Sequence, residues 1–226
     1  MQTLENNIII YDDACPMCQA YTAGFVKAGW LKHRVGFAEA GPEIQAAVDT
    51  DRARHEIPLL DTQTGEVRYG LDALFFILGT NLPVLRPLFR GTWLRRLIYP
   101  LYQIITYNRR VIAGTGAPKT GFDCAPDVNL FYRWLYIGLA VAGALWLVGV
   151  PSLQTGFNAA FGGAHLLLLA GVLLVPKRLD FMGHWATVFL AGAIVFSLVP
   201  GAIALKTAIG LLLTAFMWWK RWDKLF

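Results

Sequence analysis

Cysteine is scarce in this chain of 226 residues, which contains three: Cys15, Cys18 and Cys124. An odd number with one close pair excludes the disulfide scaffold of a small secreted protein. The first residues have neither the positive charge nor the apolar run of a signal peptide, so we expect the N-terminal part to stay in the cytosol. There, a Cys-x-x-Cys pair is more often catalytic or metal-binding than structural.

Charged residues are also few in this sequence. They make up 15% of the chain, whereas hydrophobic residues make up 56%, which is too many for an ordinary soluble protein. The apolar excess lies after about residue 130, so the sequence predicts two parts of different class. The net charge of +5 comes largely from Arg and Lys near apolar segments. Basic charge in that position favours an anionic membrane surface over nucleic acid as the partner.

The N-terminal part opens with an isoleucine run at residues 8–10, which is typical of a buried strand. The run ends at Asp12 and Asp13. The following residues, from Cys15 to about Lys27, have the pattern of a helix. The sequence therefore places the cysteine pair at a strand-to-helix junction.

Cys15 and Cys18 at this junction are the predicted catalytic residues. Cys18 lies one helical turn beyond Cys15, within the distance that a disulfide spans. The unpaired N–H groups and the positive dipole end of a helix N-terminus stabilise a thiolate at Cys15. Pro16 is compatible with the first helical turn, which needs no N–H from it.

Alternating strand and helix signals continue to residue 83. The predicted elements are a strand at 33–39, a helix at 43–50, a strand at 56–61, a turn at 62–65, a strand at 66–70 and a helix at 71–78 that Gly79 ends. The order β-α-β-α-β-β-α is that of the thioredoxin fold, so we predict an α/β thioredoxin-like domain over residues 1–83. Proteins of that fold place a cis-proline before the third strand, and we therefore predict a cis bond between Ile57 and Pro58.

Several short motifs carry a family resemblance. They are Tyr11-Asp12-x-x-Cys15-x-x-Cys18 after the isoleucine run, Ile57-Pro58, Tyr69-Gly70 and Asn108-Arg109. Together they make residues 7–113 resemble the DCC family of thiol-disulfide oxidoreductases. The resemblance implies a reactive dithiol with a substrate groove, for which the candidate residues are Tyr11, Asp12, Asp13, Pro16, Ile57 and Pro58.

Asp13 departs from that family, which usually has glycine at this position. A second carboxylate beside Cys15 would repel a thiolate there. We therefore expect Asp13 to reduce the reactivity of Cys15.

Residues 84–113 alternate arginines with bulky apolar and aromatic residues, and Pro83, Pro87 and Pro100 are expected to divide them into short helices. Basic residues interleaved with Trp and Tyr occur at nucleic-acid sites, and also in helices that lie at lipid headgroups. The position just before apolar segments favours the membrane, although some tyrosines are also expected to pack on the sheet. We predict interfacial helices that complete the DCC region, and no nucleic-acid partner.

Residues 114–130 are rich in Gly, Pro and small residues, which is typical of a linker. They contain Cys124, for which two interpretations stay open. It is either a passive small residue or a third redox thiol that a mobile linker brings to Cys15 or Cys18.

Four apolar runs fill residues 131–226. They lie at 132–150, 157–175, 184–199 and 202–219, and the third is short. A bilayer core needs about 20 helical residues, so we predict an all-α domain of four transmembrane helices. Basic residues lie before the first run, between the second and third, and after the fourth, whereas the other connections are uncharged. The positive-inside rule then places the N-terminal domain and the C-terminus in the cytoplasm.

Ionisable residues are rare in these runs. His184 and Lys206 are expected near interfaces, and His165 about two turns inside the second run, in the opposite half of the bilayer from His184. The two histidines should then be too far apart to hold one haem, which leaves a bound quinone or a structural hydrogen bond for His165. No cysteine lies in the runs, which excludes a thiol relay across the bilayer by this chain alone.

The preferred function is that of a membrane-anchored thiol-disulfide oxidoreductase at the cytoplasmic face. Cys15 would be the attacking thiolate and Cys18 the resolving thiol, and Pro58 would shape the groove for the partner's cysteine. The partner would be a protein or small-molecule thiol or disulfide, and no cofactor is required. In a reducing cytosol we expect the pair to rest as a dithiol.

Two alternatives stay open. One is a quinone-linked electron-transfer module of a thiol or sulfur oxidation system, since Arg133, Gly138 and Gly143 give a slight similarity to DoxX-type membrane proteins. The other is a non-enzymatic metal-binding or membrane assembly factor, in which His33 or His55 joins the cysteines. Against a metal, the strand-to-helix junction itself supplies only two ligands, so we assign no residue as a metal ligand.

Overall fold

The computed structural model of the chain describes residues 3–116, 124, 126–152 and 159–225. The chain divides into two compact units, Met1–Val128 and Asn129–Phe226. The division lies near residue 130, where the composition becomes more apolar. Each unit has a hydrophobic core of its own.

The first unit alternates strands and helices and then continues in helices. Its elements are β1 (Leu4–Tyr11), α1 (Pro16–Lys27), β2 (Leu31–Gly36), α2 (Pro42–Ala47), α3 (Thr50–Ala53), β3 (Pro58–Asp61), β4 (Val67–Tyr69), α4 (Gly70–Asn81), a 3-10 turn (Pro83–Leu85), α5 (Arg86–Arg90) and α6 (Thr92–Ala113). The predicted order of strands and helices is present. The short helix α3 is additional, and it forms because the Asp49 side chain caps its first turn by accepting from the Arg52 N–H.

The four strands form one mixed sheet in the order β2-β1-β3-β4. β1 pairs in parallel with β2, with Ile8 opposite His33, as predicted for strands that a helix connects. On its other side β1 pairs antiparallel with β3, where Ile8 lies opposite Leu60, and β3 pairs antiparallel with β4. β1 is therefore an inner strand of the sheet, and the loop that carries the cysteines begins at its C-terminal end.

The isoleucine run of β1 is buried on both faces of the sheet. Successive side chains of a strand point to opposite faces. Ile9 accordingly joins a core with Ile77 of α4, whereas Ile10 joins a separate core with Phe37. A strand between two cores needs apolar residues at every position, which explains why the run does not alternate with polar residues.

Two predicted helix boundaries are wrong. Gly79 does not end α4, which continues to Asn81, because a glycine inside a helix lowers its stability without stopping it. Pro100 lies inside α6, which runs unbroken from Thr92 to Ala113. A proline has no N–H, so the Arg96 carbonyl loses its helical hydrogen bond to residue 100. Pro100 and Arg96 are both exposed, where water can replace the lost bond.

Helix α6 buries polar residues and exposes apolar ones. Its buried residues are Gln103, Thr106, Asn108 and Val111. Its exposed apolar residues recur every four positions, at Trp93, Leu97, Leu101 and Ile105, and so form one stripe along the helix. A continuous exposed apolar stripe marks an interaction surface.

The second unit is helical. Its elements are α7 (Leu130–Ser152), α8 (Ala159–Ala170), a 3-10 turn (Gly171–Leu174), α9 (Arg178–Leu198) and α10 (Ile203–Leu225). Among the described residues, three helical segments are long and apolar enough to cross a membrane: Leu130–Gly149, Arg178–Leu198 and Ile203–Lys224. The helical segment Ala159–Leu174 is shorter than a bilayer core requires, and residues 153–158 before it lie outside the described residues.

The expectation that the third apolar run is short is wrong. Its helix, α9, begins at Arg178 and has 21 residues, because the charged residues Arg178 and Asp180 belong to its first turn. A carboxylate at that position is favourable, since it faces the positive end of the helix dipole. α9 packs against both α7 and α10, and Gly192 and Gly210 leave the space that the buried ring of Phe161 occupies.

Candidate dithiol site

The loop between β1 and α1 places Cys15 at the N-cap of the helix. Cys15 has extended backbone angles, φ −102° and ψ 105°, and Pro16 occupies the first helical turn as predicted. The loop is fixed by two bonds to Asp12. Its carbonyl accepts from the Cys15 N–H at 3.1 Å, and its Oδ1 accepts from the Ala14 N–H at 2.9 Å. The strand-to-helix junction predicted for the cysteine pair is therefore confirmed.

Cys15 and Cys18 are both free thiols, and the first is arranged as the more acidic one. The Cys15 sulfur accepts hydrogen bonds from the Cys18 thiol and from the Cys18 N–H, the latter at 3.5 Å. These bonds, with the nearby charge of Arg109, outweigh burial and the charge of Asp12 and lower the pKa of Cys15 from 9.0 to about 6. The same thiol–thiol bond, with burial, raises the pKa of Cys18. At neutral pH one thiolate and one thiol result.

Arg109 is a site residue whose role the sequence reasoning missed. It comes from α6 and forms an ion pair of 2.9 Å with the Asp12 carboxylate, and both side chains are largely buried. Its guanidinium also donates to the Cys124 carbonyl. The Asn108-Arg109 dipeptide belongs to the family resemblance, but nothing in the sequence indicates that Asp12 is the partner of this arginine.

Asp13 does not face the thiols, and the expectation that it repels the Cys15 thiolate is wrong. Its carboxylate accepts from the Ala38 N–H at 2.8 Å, beyond the end of β2. The carboxylate whose charge opposes the Cys15 thiolate is that of Asp12. Gly36 makes this arrangement possible, because a Cβ at that residue would lie 1.5 Å from Asp13 Oδ1.

Replacing Gly36 with alanine should therefore displace the Asp13 carboxylate and break its bond to Ala38, at a cost of about 1 kcal/mol. The check is the thermal unfolding midpoint. In an Asp13→Ala background the same Gly36→Ala change should cost nothing further, since the clashing group is gone. Equal losses in the two backgrounds would mean that Gly36 is needed for another reason.

The bond between Ile57 and Pro58 is trans, so the predicted cis bond is wrong. Pro58 is the first residue of β3, a position that a trans proline occupies without losing a ladder bond. The backbone of the preceding residue, Ile57, is held by two hydrogen bonds. The Ile57 carbonyl accepts from the Gly70 N–H at 2.9 Å, and the Ile57 backbone is hydrogen-bonded to the Tyr102 hydroxyl. Burial raises the pKa of Tyr102 to about 12, which keeps this hydroxyl neutral.

A narrow crevice joins most of the predicted site residues. It has a volume of about 10 Å³, room for a single water. Its walls include Tyr11, Asp12, Cys18, Ile57, Pro58, Arg109 and Cys124. The predicted proximity of the Ile57-Pro58 segment to the dithiol is therefore present, although the peptide bond is not cis. Tyr11 is one of the lining residues of the crevice, and the centre of its ring lies 5.0 Å from the guanidinium carbon of Arg34.

Cys124 is buried beside the dithiol rather than exposed on a linker. It belongs to the core that contains Ile10 and Phe37 and also lines the crevice with Cys18. Residues 117–123 and 125, which flank it in the predicted linker, lie outside the described residues. The burial of Cys124 is consistent with a passive small residue in the core. Its position in the crevice with Cys18 is consistent with a third redox thiol, so both interpretations stay open.

Both thiols of the pair are nearly covered, with Cys15 3% and Cys18 7% exposed. Exchange with a disulfide requires a straight approach to the attacking sulfur. The site therefore combines a Cys15 of lowered pKa with little solvent access to either sulfur.

The geometry does not favour a metal at the cysteines. Within the described residues no group of three or more His, Cys, Asp or Glu side chains is placed to hold a metal ion. His33 lies on the exposed side of β2, and the ring of His55 packs against Tyr107 at 5.6 Å. Neither histidine therefore joins the cysteines in the way that the metal-binding alternative expects.

In the second unit, His165 lies close to the turn of α9 that contains His184. Trp185, next to His184, donates from Nε1 to the His165 carbonyl at 2.9 Å. The reason is the early start of α9, which places His184 six residues, about 9 Å, inside the helix. The His165 ring lies 4.6 Å from that of Phe161 and contacts the Thr214 hydroxyl at 3.2 Å.

The fold and the site define a chain of two parts. The first is a small mixed-sheet unit with a dithiol at a helix N-terminus, and the second is a helical unit whose described residues include three apolar segments of membrane-spanning length. Comparison of the chain with family models, with curated proteins and with solved structures gives no match. The resemblance to the DCC family thus stays a prediction from the motifs.

Proposed function

We propose that the protein is a membrane-anchored thiol-disulfide oxidoreductase with a thioredoxin-like dithiol domain of the DCC type. The observation that carries the proposal is the pairing of an acidified Cys15 with a Cys18 that keeps its proton, one helical turn away. The parallel β1–β2 pair followed by the antiparallel β3–β4 hairpin supports the thioredoxin-like assignment. A purely structural cysteine pair has no need for a depressed pKa.

The reaction balances with the two thiols alone. The Cys15 thiolate attacks one sulfur of a substrate disulfide, so that a mixed disulfide forms and the other substrate sulfur leaves as a thiolate. Cys18 then loses its proton and attacks the Cys15 sulfur, which forms the Cys15–Cys18 disulfide and releases the second substrate thiolate. The substrate gains two electrons, the protein dithiol loses them, and the proton from Cys18 is taken up by a released thiolate.

Arg109 and Asp12 act as positioning residues in this proposal. The guanidinium favours the Cys15 thiolate, and the carboxylate holds the guanidinium in place while it fixes the loop through Ala14. Ile57 and Pro58 line the neighbouring crevice, and Tyr102 holds the Ile57 backbone; the segment of a partner that carries its cysteine would lie beside them.

The membrane anchor is the second unit. We propose that the segment Ala159–Leu174 serves as a fourth span, and that the basic ends of the helices face the cytoplasm. The exposed stripe of Trp93, Leu97, Leu101 and Ile105 on α6 supports a lipid-facing role for residues 84–113, since arginines lie close to it along the same segment. The dithiol would then work close to the membrane surface.

A Cys18→Ser variant of the purified chain, mixed with glutathione disulfide, should retain one glutathione on Cys15, because the resolving thiol is gone. The unaltered chain should instead form the Cys15–Cys18 disulfide and hold no glutathione. Intact-mass measurement with peptide mapping distinguishes the two products. In cells the same variant should hold a partner protein through a disulfide that a reductant releases.

Two matched variants make this trap decisive. Cys15→Ser with Cys18→Ser should capture nothing, and Cys124→Ser with Cys18→Ser should capture as much as Cys18→Ser alone if Cys124 is passive. Adducts on Cys18 instead of Cys15, or none on either, would overturn the proposal. Quinone reduction that needs both cysteines would favour the quinone-linked alternative.

A further inference from the structure

A cavity lies beside β4, the edge strand of the sheet in the first unit. It has a volume of about 590 Å³, which is within the usual range of small-molecule sites. Most of its wall comes from β4, α4, α5 and the first turn of α6. Within the described residues it shares no lining residue with the narrow crevice beside the dithiol, so the proposed redox chemistry gives this cavity no role.

Arginines dominate the charge of this cavity. Five of its lining residues, from four different elements, are arginines: Arg52, Arg68, Arg86, Arg90 and Arg95. Three of them are already paired with carboxylates, at distances of 2.8, 2.6 and 2.8 Å: Arg52 with Glu56, Arg68 with Glu66 and Arg95 with Asp72. Arg86 and Arg90 form no ion pair with any carboxylate in the described part of the chain. The cavity therefore keeps the charge of two guanidiniums.

Arg86 and Arg90 are placed to bind one group together. They are four residues apart on α5 and so lie on the same side of the helix, where both line the cavity. Like charges at this spacing repel each other, and an anion between them would relieve the repulsion. A carboxylate has one charge and two oxygens, which satisfy a single guanidinium fork. A phosphate ester has nearly two charges and three strong acceptor oxygens, which suit two forks.

The wall beside these arginines offers a surface for an apolar group. Phe75, Phe76 and Phe89 line the cavity and are only partly buried. The ring centres of Phe75 and Phe89 are 5.5 Å apart, so the two rings form one continuous surface. Small-molecule sites combine apolar walls with a few polar groups that fix orientation. The ligand should therefore carry an apolar or aromatic part next to its phosphate.

The cavity lies on the opposite side of α6 from the exposed apolar stripe. Arg95 lines the cavity, and at about 100° per residue it lies about 160° around the helix from both Trp93 and Leu97. The stripe is the side of α6 that we propose to face lipid. A soluble ligand is therefore favoured over a lipid headgroup.

We propose that this cavity binds a small soluble molecule that carries a phosphate group. Arg86 and Arg90 bind the phosphate, and Phe75 and Phe89 contact the apolar part of the molecule. A phosphate ester is the source that the aromatic wall favours, and inorganic phosphate is the other source of the same chemistry. The inference does not depend on the dithiol, because it rests on different residues.

The test is isothermal titration calorimetry of the full chain in neutral detergent micelles at low salt. Phenyl phosphate has both parts of the expected ligand, whereas inorganic phosphate and phenol have one part each. We expect saturable binding of about one phenyl phosphate per chain, and binding of phenol that is at least about tenfold weaker. Weaker binding of inorganic phosphate than of phenyl phosphate would identify an ester as the source, and equal binding would identify free phosphate.

Arg86→Gln and Arg90→Gln should each weaken the binding of phenyl phosphate about tenfold to a hundredfold, because each removes charge-assisted hydrogen bonds to the phosphate. Both side chains are exposed, so these variants should fold. Arg96→Gln is the matched control, since Arg96 is exposed on α6 outside the cavity and should leave the affinity unchanged.

The site would be overturned if neither phosphate probe binds saturably, or if the three arginine variants bind phenyl phosphate equally well. Displacement of phenyl phosphate by about one phosphatidylglycerol per chain would overturn the assignment to a soluble ligand. If the arginine variants do not fold, the unaltered chain decides by itself, because phenol that binds as tightly as phenyl phosphate contradicts a phosphate site.

Discussion

Replacing Arg109 with glutamine is expected to destabilise the sheet unit by about 3–5 kcal/mol, because Asp12 would remain as a buried carboxylate without its counter-ion. The two side chains are 13% and 10% exposed and lie 2.9 Å apart, so solvent screens them little. The bond from Arg109 to the Cys124 carbonyl is lost as well. The thermal midpoint of this unit, measured on the reduced full chain in micelles, should fall by on the order of 10 °C.

Arg96→Gln is the matched control for this change, because Arg96 lies on the exposed side of the same helix. It should alter the midpoint by little. The double variant Asp12→Asn with Arg109→Gln should recover part of the loss, since asparagine keeps an acceptor for the Ala14 N–H and removes the unpaired charge. If Arg109→Gln costs no more than Arg96→Gln, the ion pair does not stabilise the unit.

The same variant also separates a positioning role from a purely structural one. The charge of Arg109 contributes to the lowered pKa of Cys15, so its removal should raise that pKa. The pH at which alkylation of Cys15 by iodoacetamide is half-maximal would then move upward in Arg109→Gln. Loss of packing alone would change the alkylation rate at every pH without moving this midpoint.

The sheet and the position of the dithiol could be predicted because their signals are local. An isoleucine run, two aspartates and a Cys-x-x-Cys pair follow one another within residues 8–18, and each element is specified by its own neighbours. The parallel pairing of β1 with β2 follows from the helix between them. Local signals of this kind need no knowledge of distant contacts.

The electrostatics of the site depend on distant contacts and could not be predicted in the same way. Asp12 and Asp13 are adjacent in the sequence, yet one pairs with Arg109 of α6 and the other bonds to Ala38. Nothing in the sequence near either aspartate tells which of them faces Cys15. The prediction that the Asp13 carboxylate opposes the Cys15 thiolate is therefore wrong, whereas Asp12 does oppose it.

The predicted helix boundaries are wrong where tertiary packing outweighs local helix propensity. Pro100 remains inside α6 because the helix is held by its packed polar face, and a single missing N–H does not offset that packing. α9 begins six residues before the predicted start at His184, because Arg178 and Asp180 lie at a helix end where charge is tolerated. The prediction that His184 lies at the start of the helix is wrong for the same reason, since the apolar run was taken to begin at His184.

The stability of the reduced protein should rise with pH between about 6 and 9, and Cys15 is the reason. Its pKa is lowered from 9.0 to about 6 in the folded chain. Between these values the unfolded chain keeps a thiol proton that the folded chain has released, so the unfolding free energy increases by up to about 1.4 kcal/mol per pH unit. Below about 6 both states hold the proton, and this contribution is absent.

Cys18 should reverse the trend at higher pH. Its pKa is raised on folding, so above about 9 the unfolded chain loses a proton that the folded chain retains, and stability declines. The measurement is the unfolding midpoint of the full chain against pH in the presence of a non-thiol reductant. The difference between the unaltered chain and Cys15→Ser isolates the coupled Cys15–Cys18 pair from other titrating groups, because the raised pKa of Cys18 depends on Cys15, and Cys124→Ser controls for removal of any thiol. Because the thiolate is a direct requirement of disulfide exchange, a Cys15→Ser chain whose pH profile matches that of the unaltered chain would contradict both the depressed pKa and the oxidoreductase mechanism built on it.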